Sequence, residues 1–159
     1  MTVCSRPSEQ WDMRRRPLIH EKLTRSVIGA FYEVYNTLGF GFSEHLYMVA
    51  LEYELRERGH EVRREIPVNV YYKGLRLGRQ RIDMVVDATL VVEGKAGFDL
   101  RLGVRDQLYS YLHATEMEVG LLLHFGPKPK FYRVVSMNTV SYPANPAYPS
   151  DPEIQNADV

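Results

Sequence analysis

The chain of 159 residues has one cysteine, one tryptophan, no net charge and no long apolar run. A lone thiol, Cys4, cannot close an internal disulfide, so packing alone must hold the fold, in keeping with a reducing compartment. No segment approaches the roughly 20 consecutive apolar residues that cross a bilayer. The opening MTVCSRPSEQWDMRRRP has no apolar core of the secretory kind. A cytoplasmic protein with no membrane partner is the expectation. Twenty basic residues balance twenty acidic ones, which argues against coating nucleic acid by bulk charge and leaves room for a local basic track. There is no phosphate-cradling or dinucleotide-type glycine loop and no zinc-type Cys/His spacing. His113 and His124 lie on or near apolar segments and read as core histidines rather than ligands.

With 45% hydrophobic and 25% charged residues, the chain can bury one ordinary core. Residues 1–16 are polar and without apolar period, and read as a flexible segment. Residues 138–159, rich in proline, read as a flexible tail. Between them, 17–137 reads as one domain. Leu23, Val27, Phe31, Val34 and Leu38 recur at helical spacing and predict a helix over 18–38, stopped at Gly39 and Gly41. A second helix is expected from an N-cap at Ser43 to Arg58, burying Tyr47, Ala50, Leu51 and Leu55. Strands follow over 62–72, 75–86 and 90–96, with Pro67 suggesting an edge or a bulge. A third helix is expected over 102–115. The apolar run VGLLLHF reads as a strand covered on both faces, and 131–135 as a last strand. The order ααβββαββ defines an α/β fold with a mixed sheet flanked by helices.

The chemistry concentrates in RIDMVVDATLVVEGKA. Two apolar runs around Asp87-Ala88-Thr89 predict a hairpin. A turn centred on Ala88 places Asp83 opposite Glu93, and alternation puts Lys95 on the face of Glu93. Facing carboxylates repel unless a positive charge lies between them, which a divalent cation and the Lys95 ammonium would supply. Arg79 and Arg81 should emerge on the face of Asp83, and Arg14 to Arg16 form a short basic segment; for all of these a solvated surface is the plainer reading. Glu44 shares a helix face with Tyr47 and Leu51, pointing towards the core side, where a buried acid needs a partner. Gln107 and Tyr111, four apart, share another.

The segment GFSEHLY, with Gly41, Glu44 and Tyr47 in the defining places, resembles the GxxExxY family. The similarity continues through ELRERG, PVNVYYKG, the Asp83 hairpin and GLLLHFG, over residues 18–136. That family resembles a branch of the PD-(D/E)XK nucleases with their restriction-endonuclease-like fold. The resemblance implies hydrolysis of phosphodiester bonds in nucleic acid, DNA ahead of RNA, with Mg²⁺ or Mn²⁺. It leaves a homodimer open. It implies Asp83, Glu93 and Glu44 as metal ligands, Lys95 as the catalytic lysine beside Asp83 and Glu93, and Gln107 and Tyr111 as residues that place the substrate. Arg79 and Arg81 join the substrate-placing residues by their expected position beside the site. The alternative is a catalytically weak or inactive binding module on the same fold. The sequence departs from the usual pattern twice. Ile82 precedes Asp83 where proline is frequent, and Gly94 stands where a bulky apolar residue is expected, marking a place for a bulge.

Overall fold

A computed structural model describes residues 18–136; the expectations for the segments 1–16 and 138–159 lie outside them. The elements are α1 (Glu21–Leu38), α2 (Glu44–Glu57), β1 (Val62–Tyr72), β2 (Leu75–Val86), β3 (Leu90–Ala96), α3 (Val104–Thr115), β4 (Val119–Phe125) and β5 (Lys130–Val135). The strands form one sheet in the order β1-β2-β3-β4-β5. Only β3 and β4 run parallel, joined through α3, and the other pairs are antiparallel. This is a restriction-endonuclease-like mixed sheet flanked by helices. Among the described residues, no helix is long and apolar enough to cross a membrane.

The sheet separates two cores. Val27, Phe31, Tyr47, Met48 and Leu51 of α1 and α2 pack against Met84, Val92, Leu121 and Phe125. On the other face, Leu108, Tyr111 and Leu112 of α3 pack against Val85, Val91 and Leu122. β4 is buried at every position and β3 through Gly94, as the apolar run and the short hairpin require. Helix α1 begins at Glu21, three residues after the expected start, because Leu18 to His20 form a turn that ends with His20 in the left-handed conformation. Ser43 caps α2 by accepting from the Leu46 N–H. Met48, rather than Ala50, completes the buried face of α2. Pro67 lies on β1, which is an edge strand.

The β2–β3 hairpin is pinned at its turn. Asp87 and Ala88 both have positive φ, and the Thr89 N–H donates to Val86 O at 3.0 Å, the geometry of a type I′ turn. Asp87 accepts from the Glu61 N–H at 2.8 Å and meets His60 Nδ1 at 2.7 Å. His60 Nε2 in turn lies 2.7 Å from Ser26 Oγ on α1. This hydroxyl–imidazole–carboxylate line is a tether and not a nucleophile. Ser26 sits inside α1, where the neighbouring N–H groups are taken up by helical bonds and cannot stabilise an oxyanion.

One irregularity decides where the site forms. Met84 and Val86 face α1 and α2, yet Ile82, of the same parity, faces α3. On β1, Val62 likewise faces α1 and α2 while Ile66 and Val68 face α3. Both strands therefore roll over at one level. There Glu65 adopts a left-handed φ of 55°, and the ladder passes from Arg64↔Met84 to Ile66↔Ile82 without pairing Glu65 to Asp83. Ladder pairing between β2 and β3 also ends at Met84↔Val92. Asp83 thus leaves the ladder on both sides, which frees its carboxylate for β3.

Candidate active site

The hairpin register is centred on Ala88, so Asp83 comes level with Glu93 one step beyond the last paired residues. The strands have separated there, and Asp83 Oδ2 accepts the Gly94 N–H at 3.1 Å. Parallel pairing of Glu93 with Leu122 and of Lys95 with His124 continues unbroken, so Gly94 makes no bulge. Its role is spatial. A Cβ at Gly94 would overlap Sδ of Met48, which is 2% exposed. Glycine lets α2 lie flat on β3 at the level of the acidic pair. Gly94→Ala should therefore cost about 1–3 kcal/mol of stability. Urea denaturation measures this, and the same substitution should cost less in a Met48→Ala background, where the overlap is gone. A Gly94→Ala protein as stable as its parent would contradict this account.

Glu93 is 2% exposed. Its Oε1 accepts from Lys95 Nζ at 2.7 Å, while its Oε2 is buried without a hydrogen-bond partner among the described residues. Loss of water pushes the Glu93 carboxyl up to about 7: burial outweighs the bonded Lys95 ammonium, and the charges of Asp83 and Glu44 add to burial. Burial alone would lower Lys95. The bond and charge of Glu93, followed by the charges of Glu44 and Asp83, instead hold its ammonium above the usual value. Glu44 opens α2 and brings Oε1 to 3.8 Å from Lys95 Nζ. Its carboxyl is raised by partial burial, with Lys95 opposing and Asp83 adding. One lysine thus stands among three carboxylates.

Gln107 Nε2 donates to Tyr111 Oη at 2.7 Å. The Tyr111 hydroxyl is raised by burial and by the Glu93 charge, so it holds its proton and remains a donor. Glu44, Lys95 and Gln107 line one open cleft, together with Asp99 and Arg101 from the β3–α3 link. The first residue of α2 and the start of α3 border it, and the positive ends of both helix dipoles favour an anion there. Asp99 and Arg101 line the cleft, and periodicity does not reveal them. Their only signal was position, in a loop directly after the strand bearing Glu93 and Lys95. Arg79 and Arg81 do not follow the expectation of a shared face with Asp83, because the roll at Asp83 breaks the alternation. Arg81 lies 3.8 Å from Glu65, and both side chains are exposed. His124 is buried, with Nε2 3.0 Å from Gly97 O, and pairs with Lys95 across the β3–β4 ladder.

Among the described residues, no three His, Cys, Asp or Glu side chains form a ready metal cage. Two carboxylates with the remaining positions left to water and phosphate oxygens are nonetheless what Mg²⁺ usually takes. The partnerless Glu93 Oε2 fits such an ion, since a buried carboxylate oxygen requires a cation or a donor.

A buried acid and a lysine two residues apart on a central strand, level with an aspartate on the preceding strand, form one charged cluster. Residues 21–134 match the profile of the PD-(D/E)XK nuclease superfamily, and the chain belongs to that superfamily. No curated protein matches the chain. A solved structure described as the crystal structure of SSO0001 is similar at 20% identity and a TM-score of 0.46. The match covers 74% of this chain and 59% of that one.

Proposed function

We propose that the chain is a GxxExxY-type member of the superfamily that hydrolyses phosphodiester bonds in DNA or RNA with Mg²⁺ or Mn²⁺. The observation that carries this reading is Glu93: an acid buried on the central strand, with one oxygen on Lys95 and the other unpartnered among the described residues. Asp83 and Glu93 would hold the ion, and Glu44 would add a charge from α2. When bound, the ion supplies Lewis-acid neutralisation of the phosphate and a water of lowered pKa. Lys95, held charged by its acidic neighbours, orients the attacking water and offsets negative charge developing on phosphate. Its raised pKa disfavours a role as general base. Gln107 lines the α3 side of the same cleft and is bonded to the protonated Tyr111 behind it; the pair would place the scissile strand. Arg101 is a further cation on the substrate path. The working domain spans 17–137, and a cytoplasmic location accords with the single cysteine.

The test is incubation of the purified protein with single- and double-stranded DNA and RNA, with Mn²⁺ or Mg²⁺ and with excess chelator. Cleavage of at least one polymer that stops on chelation is the expected result. Failure to cut any of them, or cleavage indifferent to chelator, would overturn the reading.

A further inference from the structure

The far end of the β1–β2 hairpin leaves the body of the protein. Every residue from Tyr71 to Arg81 is exposed, on both faces of the ribbon, and Tyr72, Leu75 and Leu77 are 58–66% exposed. The stretch YYKGLRLGRQR carries Lys73, Arg76, Arg79 and Arg81 and no acid, in a chain whose net charge is zero. Lys73 and Gly74, both of positive φ, make the turn. The pairing slips from Val70↔Gly78 to Tyr71↔Arg76, so Leu77 is an extra residue that tightens the twist. A two-stranded ribbon without a covered face is marginal alone and exposes apolar side chains to water without return.

We infer that this arm is a second nucleic-acid contact, which grips the phosphate backbone of a duplex beyond the cleavage site. The inference rests on the nuclease reading and extends it to the form of the substrate. Three observations favour a duplex over another occupant. The charge is complementary to a polyanion, and the cations alternate with side chains that can lie against sugars and base edges. The ribbon has the width that a major groove admits. Eight residue steps separate Leu75 from Asp83, a reach of about 26 Å, or about 8 base pairs of duplex at 3.4 Å each. A second copy of the chain fits less well, since self-pairing of two arms would bring like charges together.

The test uses the full chain in a Lys95→Ala background with Mg²⁺, so that turnover is slowed while binding is measured. Fluorescence anisotropy with a labelled duplex of about 30 base pairs is recorded across a salt series, with and without Lys73→Ala, Arg76→Ala and Arg79→Ala combined. The expected result is binding weakened about tenfold or more, with the log–log salt slope reduced by about 2–3. Duplexes of about 8 base pairs or fewer, too short to span both contacts, should bind the two proteins alike. Unchanged affinity and slope on the long duplex would overturn the arm while leaving the nuclease reading intact. Absence of nucleic-acid binding in both proteins would overturn the two together. A dimer that becomes a monomer with the triple variant, by light scattering, would reassign the arm to self-association. Thermal unfolding of the triple variant should match its parent, because the substituted side chains are exposed.

Discussion

Glu93→Gln should abolish cleavage and stabilise the metal-free protein in one step. The two effects have one cause. Glu93 titrates near 7 in the folded chain, against 4.5 when unfolded, because burial disfavours its charge more than Lys95 favours it. The sign follows from proton counting. Below pH 4.5 both states are protonated and the group has no effect. Between 4.5 and 7 the unfolded chain releases a proton that the folded chain keeps, so stability falls as pH rises. Above 7 the full cost stands, about 3 kcal/mol, since each tenfold change in proton affinity is worth about 1.4 kcal/mol. Glutamine cannot ionise and escapes this cost, but it leaves the Lys95 ammonium without its charged neighbour. A net gain of about 1–3 kcal/mol is expected at about pH 8, fading to nothing by about pH 4.5. Cleavage should drop about a thousandfold or more, the several kcal/mol that a held cation contributes. Urea denaturation of both proteins in chelator, from about pH 4.5 to 8, measures the first effect. Parallel stability profiles across that range would show that burial does not dominate at Glu93.

Lys95→Ala is the second large effect. Loss of a preorganised cation at the reacting phosphate should lower the cleavage rate about 10²–10³-fold. A plain loss of charge near the phosphate would end there, but Lys95 also restrains its neighbour. Without the ammonium the Glu93 carboxyl should rise further. Its ionised form, which would hold the ion, then appears only at higher pH. The residual activity of the variant should therefore have its acid limb displaced upward, and Mn²⁺ binding by calorimetry should recover only at higher pH than in the parent. Residual cleavage within a few-fold of the parent, with an unmoved pH profile, would show that the assigned lysine is not part of the site.

The parts of this centre legible in the sequence were those set by local periodicity. The turn at Asp87-Ala88 fixed a register centred on Ala88, and that register alone brought Asp83 level with Glu93. Alternation alone placed Glu93 and Lys95 together, and helical spacing turned Glu44 and Gln107–Tyr111 to their faces. What was not legible depends on contacts between distant segments. The roll at Asp83 requires Glu65, eighteen residues earlier, to take a left-handed conformation that no local pattern announces. It is this roll that separates Arg79 and Arg81 from the acidic pair. Gly94 read as a flaw in the strand because its reason, Met48 on α2, is forty-six residues away. Asp99 and Arg101 carry no periodicity, being in a loop, so only the folded cleft reveals them.

Strand β3 lies third of five, paired with β4 along its whole length and with β2 as far as Val92, and buried through Gly94. A segment so enclosed belongs to the slowest-opening part of a domain. Glu93 and Lys95 both hang from that strand and share its unbroken ladder to β4, so their spacing is held by the middle of the sheet. Asp83, by contrast, hangs from a stretch that has already left its ladder. Any adjustment the centre makes on taking up an ion or a strand must therefore come from the aspartate side, while the acid–lysine pair serves as the fixed reference.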